Sequence, residues 1–63
     1  MKYSIYFSNS SQPHGTHDRA CFAQTFWEAV AVYDALCRNY LHVTVFEALD
    51  SGDAKIIRRY INV

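Results

Sequence analysis

His14, His17 and Cys21 form an H-x-x-H-x-x-x-C run of side chains of the types that hold zinc, and His42 or Cys37 could add a fourth. The spacing matches no standard finger. Structural zinc sites draw close ligand pairs from tight knuckles, whereas these histidines lie in a polar stretch and Cys21 in an apolar one. A solvated loop without metal is therefore expected. Cys37 is the other candidate for chemistry, and a nucleophilic thiol needs a base and an orienting group beside it. Its helical spacing instead puts it on an apolar stripe, where cysteine acts as a small hydrophobe. Gly15 and Gly52 stand alone, so there is no phosphate-binding loop. Asp50 and Asp53 flank a turn, and turn chemistry accounts for both. No catalytic residue, cofactor or metal is expected, and no enzymatic activity.

Recognition chemistry is better represented. Trp27 lies about 100° from the centre of the apolar stripe of its helix. There it shares a face with Ala31, Asp34 and Arg38. A large aromatic beside small and charged residues is a common composition for a protein-binding spot. The competing reading folds Trp27 over the loop between Asn9 and Asp18 as a roof. Arg58, Arg59 and Tyr60, with Lys55 upstream, make the one locally basic aromatic stretch, of the kind some small folds use to stack bases. Six Lys and Arg balance six Asp and Glu, which supplies neither a field for a nucleic-acid backbone nor the acidity of a DNA mimic. Direct nucleic-acid binding is the weaker reading, and a protein partner the stronger.

These residues need a scaffold. At 63 residues the chain makes one small domain, and its hydrophobic half, including five Tyr, four Phe and one Trp, is enough for a compact core. Lys2 to Ser8 alternates with Tyr3, Ile5 and Phe7 on one face, the pattern of a half-buried strand. Asn9 to Asp18 holds the only Pro and one of the two Gly and reads as a loop. Arg19 to Gln24 is short and apolar and could return antiparallel to the first strand. Thr25 and Glu28 form a capping box that opens a helix running toward Leu41. Phe26, Ala29, Val30, Tyr33, Leu36, Cys37 and Tyr40 make its stripe, and Asn39 and Arg38 mark its end. His42 to Leu49 is β-branched and aromatic, Asp50 to Asp53 is a hairpin turn, and Ala54 to Val63 is the last strand.

The expected fold is α+β: a small antiparallel or mixed sheet of three to four strands with one helix on one face, in the order β(β)αββ. If Val43 and Val45 lie under the helix with Ile57 and Ile61, then Tyr6, Thr44, Phe46, Ile56, Arg58 and Tyr60 face away; a one-residue slip or a bulge in the last strand, where Ile56-Ile57 and Arg58-Arg59 break the alternation, would swap these assignments. Such an aromatic face implies a partner, a dimer or a ligand groove. Trp27, Tyr6, Phe46, Arg58, Tyr60, Asp34 and Arg38 are the candidate partner-binding residues. Two cysteines, no apolar run near 18 residues and no signal-peptide pattern point to a reducing compartment, by default the cytoplasm, and to no membrane association.

A small neutral chain with a first strand, a helix opened by Thr25-Phe-Trp-Glu-Ala-Val30 and a closing hairpin of Val43 to Phe46 and Ile56 to Tyr60 resembles small phage-encoded proteins. In plan it is similar to anti-CRISPR and other anti-defence inhibitors, whose helix-on-sheet domains block a host immune complex by occupying a functional surface. The resemblance covers nearly the whole chain and rests on size and element order, so no functional residue carries over. It implies a protein partner in the bacterial host cytoplasm. The strong acidity frequent among those inhibitors is absent, which favours steric or allosteric blocking over DNA mimicry.

Overall fold

The computed structural model describes residues 2–9 and 19–62. Strand β1 (Tyr3–Ser8) buries Tyr3, Ile5 and Phe7, as its alternation requires. Strand β2 (Arg19–Ala23) returns antiparallel beside it, with Ile5 opposite Cys21 and Tyr3 opposite Ala23. Helix α1 (Phe26–Cys37) follows, then β3 (His42–Ala48) and β4 (Ala54–Ile61). The strands are ordered β2-β1-β3-β4, and each neighbouring pair is antiparallel. The helix lies over β1 and β3 and, to a lesser extent, β2, leaving β4 largely beyond its cover. The domain is α+β, a four-stranded antiparallel sheet with one helix on one face.

Thr25 caps the helix in extended conformation (φ −119°, ψ 155°), its Oγ1 accepting from the Glu28 backbone N at 3.2 Å. This is the hydroxyl half of the expected capping box. Thr25→Ala should cost about 1 kcal/mol; an unchanged denaturation midpoint would show that the cap contributes nothing. The helix stops at Cys37, short of Leu41, because the chain tightens after Arg38. The Asn39 and Tyr40 backbone N–H groups both donate to the Leu36 carbonyl, and Asn39 Nδ2 donates to Ala35 O at 3.1 Å. Tyr40 therefore reaches the core from the turn, with its ring 4.7 Å from that of Phe7.

Ile5, Val43 and Val45 are the largest fully buried side chains, and Ala29 is the buried residue of the helix. Around them pack Phe26, Val32, Tyr33, Leu36, Cys37 and Tyr40. Val32 takes the place expected for Val30, which is half-buried but stands outside the cluster. The stripe is thus turned slightly toward Val32 and Leu36.

The last strand departs most from expectation. Val45 pairs with Arg58 and Phe46 with Ile56, so Ile57 is an extra residue in a β-bulge. The Ile56-Ile57 and Arg58-Arg59 doublets, which cannot alternate in a regular strand, are accommodated by it. Ile57 packs against the core as expected. Arg58 and Tyr60 turn to the helix side, paired with Val45 and Val43, while Ile61, paired with His42, joins the opposite face. The outward placement expected of Arg58 and Tyr60, and the inward placement of Ile61, are therefore corrected. At the hairpin, Gly52 N donates to Leu49 O, and Gly52 adopts φ +93°, a left-handed conformation that glycine takes without strain.

Candidate functional site

Because Arg58 faces the helix, it meets the first turn of α1. Its guanidinium carbon lies 5.6 Å from the centroid of the Phe26 ring. The Trp27 ring packs edge-on against the same ring at 5.3 Å and 74°, and Tyr3 supports it from the sheet at 6.3 Å. Phe26 thus holds an indole and a guanidinium on one small surface. Trp27 is nevertheless 76% exposed, a large apolar area presented to solvent from its contact with Phe26. Arg58 also donates from Nη1 to the Ile57 carbonyl at 2.9 Å, which restricts the guanidinium further.

The rest of the candidate set divides by face. Asp34 and Arg38 are exposed, seven and eleven residues after Trp27, and so on its stripe. Tyr60 is half-buried beside the core on the helix side. Tyr6 and Phe46 occupy the open face of the sheet, in edge-to-face contact at 5.5 Å. No face carries all seven residues. The helix side carries Trp27, Arg58, Asp34, Arg38 and Tyr60, of which Trp27 and Arg58 are joined through Phe26, and Tyr6 and Phe46 belong to a second surface.

That second surface is built in cross-strand rows. Phe22, Ser4, Phe46 and Ile56 form one, and Ala20, Tyr6, Thr44 and Arg59 the next. Phe22 is 53% and Ile56 45% exposed, whereas Thr44 in the second row is buried, at 6%. Phe22 and Ile61 were missing from the sequence-based set; the alternation of Cys21 inward and Phe22 outward is the signal that could have found the former. Arg59 is the one Lys or Arg in these rows.

In the third row, Ser8 pairs with His42 and His42 with Ile61. Ser8 and His42 are 7% and 5% exposed, and Ser8 Oγ and both imidazole nitrogens have no hydrogen-bond partner among the described residues. A buried polar group without a partner costs about 1 to 3 kcal/mol. His42→Leu, similar in volume, should therefore raise the denaturation midpoint; a fall would show that the imidazole makes a stabilising bond.

Burial raises the Cys37 thiol pKa above its ordinary value; the Tyr33 hydrogen bond opposes this and the Asp34 carboxylate adds to it. That direction is contrary to what a reactive thiolate needs. Burial likewise raises the Tyr33 phenol, helped by its hydrogen bond with Cys37, while the Arg58 charge acts the other way. Cys21 and Cys37 are free thiols. His14 and His17 lie outside the described residues, as does most of the loop that Trp27 would roof. Among the described residues no three His, Cys, Asp or Glu side chains are grouped as a metal ion would need, and no helix is long and apolar enough to cross a membrane.

No family model, curated protein or solved structure matches the chain.

Proposed function

We infer that this chain is a non-catalytic protein-binding module that engages its partner through the flank formed by Trp27 and Arg58. The observation that carries this reading is the shared packing of both on Phe26, with Trp27 left 76% exposed. Trp and Arg are the residue types most enriched where interfaces concentrate their energy. Each already leans on Phe26 before binding, which reduces the side-chain entropy lost on association. Asp34 and Arg38 supply charges of both signs along the same stripe, suited to a polar rim. The narrower proposal, that the partner is a bacterial defence complex and the chain a phage inhibitor of it, rests on the resemblance in size and element order.

The test is capture from bacterial lysate on immobilised wild type beside Arg58→Ala, followed by a salt titration. A protein held by the wild type and lost with the variant, its affinity changing less than about tenfold between about 50 and 200 mM salt, supports the reading. A nucleic acid recovered instead, released steeply by salt, would replace it with the alternative of a nucleic-acid-binding domain.

A further inference from the structure

We propose that the flank of Trp27 and Arg58 accepts a short acidic peptide segment, which sets a carboxylate on Arg58 and a large apolar side chain on Trp27. This rests on the protein-binding reading of that flank and specifies what the flank accepts. Its starting point is a charge without a counter-charge. A guanidinium presents a fork of N–H donors and accepts nothing. In Arg58 one donor serves the Ile57 carbonyl at 2.9 Å, and the rest meet no acceptor among the described residues. Phe26 attracts the cation through its ring but offers no oxygen.

The carboxylate placed to neutralise it is already engaged. Glu47 lies two residues beyond Val45, the strand partner of Arg58, and so on the same side of the sheet. It accepts instead from the Tyr3 hydroxyl at 3.2 Å and pairs with Lys2 at 3.5 Å. Among the described residues no ion pair joins Arg58 to Glu28 or Asp34 on the helix. Arg58 is therefore an exposed cation with donors to spare, seated beside an exposed indole. Covering the indole with an apolar group excludes water from the guanidinium and strengthens its bond to a carboxylate.

Geometry sets the spacing of the two groups. The Trp27 ring and the Arg58 guanidinium lie 5.3 and 5.6 Å from the Phe26 centroid, so about 11 Å is the most that separates them. Side chains on one face of a segment recur every ~6.7 Å when it is extended and ~5 to 6 Å when it is helical. With side-chain reach, residues roughly two to four apart in one segment meet both anchors. Access is open, because β4 is an outer strand and lies largely beyond the helix. The count of cations favours carboxylate over phosphate. Phosphate-reading sites gather several Arg, whereas here Lys2 is paired with Glu47, Lys55 stands opposite Glu47, and Arg59 belongs to the other face with Thr44. One planar guanidinium suits one carboxylate, held bidentately.

The test is selection of a random peptide library on the immobilised full chain, followed by anisotropy titrations of labelled synthetic copies. Retained peptides should carry Asp or Glu roughly two to four residues from Leu, Met, Phe, Tyr or Trp. Arg58→Ala should weaken them at least about tenfold, and so should conversion of the peptide's carboxylate to its amide. The two changes together should cost little more than either alone, as expected for partners in one contact. Because the amide change leaves the protein untouched, it decides the matter even if Arg58→Ala disturbs the bulge. Peptides that lack an acidic residue, or that bind equally well as the amide, overturn the proposal; if Arg58→Ala and Trp27→Ala still weaken them, the flank survives as a binding surface. Peptides indifferent to both variants overturn the flank as well. A library that yields no binder overturns the short-segment proposal, and capture from lysate then judges the flank separately. Binding gained only when phosphoserine replaces the acidic residue would reassign the site to phosphate.

Discussion

Ile5→Ala should destabilise the domain by about 2 to 5 kcal/mol, enough to unfold a substantial fraction of the protein at ambient temperature. Ile5 is fully buried in the central strand β1, opposite Cys21 on one side and Val45 on the other, with the helix above. Removing three carbons there opens a cavity among strands that hydrogen bonding holds in register and that cannot collapse to fill it. Domains of 63 residues typically hold roughly 3 to 9 kcal/mol in all. The substitution therefore consumes much of that margin. Chemical denaturation measures it, and a loss below about 1 kcal/mol would show that the sheet centre is not where this fold is stabilised.

The helix contributes less per residue than the sheet. Ala29 is its buried side chain, and the large residues of its stripe remain half-exposed. A helix so lightly buried depends on its cap and on the sheet beneath it, because short helices are marginal by themselves.

Much of this architecture is legible in the chain. Tyr3, Ile5 and Phe7 alternate cleanly, Thr25 and Glu28 bracket the start of the helix, and Asp50 to Asp53 makes the turn that closes the last hairpin. These are local signals, each carried by a few neighbouring residues. The faces of β4 are not local. The Ile56-Ile57 and Arg58-Arg59 doublets show that alternation breaks within Ala54 to Ile61, but that the bulge falls at Ile57, so that Arg58 also turns inward, is set by pairing with Val45 and Phe46. The central position of β1, bonded on both sides, is likewise a property of the assembled sheet. The candidate site divides in the same way. The stripe of Trp27, Asp34 and Arg38 follows from the helical period, whereas the link between Trp27 and Arg58 requires the bulge that turns Arg58 toward Phe26. Tyr6 and Phe46 share a face as expected; that Phe22 stands in the same row as Phe46 depends on strand order.

Trp27→Ala should weaken partner binding by at least about 2 kcal/mol, close to thirtyfold, while leaving the melting temperature near that of the wild type. The two effects separate because the indole is 76% exposed, so its truncation removes little buried area, while Phe26 stays packed on Tyr3. In the complex the same ring would be covered on both sides. Arg58→Ala should act through the same spot, and because both side chains lean on Phe26 their effects should not add. The Trp27→Ala, Arg58→Ala pair should then lose less than the sum of the two single losses, by about 0.5 kcal/mol or more. Trp27→Phe, which keeps an aromatic edge without the full area, should fall between wild type and alanine. These values need affinity measured against the partner retained by the wild type, with thermal melts of each variant alongside. If Trp27→Ala binds within about twofold of wild type, the indole is not an anchor. If it binds weakly only because it also melts far lower, its role is to hold the first turn of the helix, and the contact surface must then be sought elsewhere.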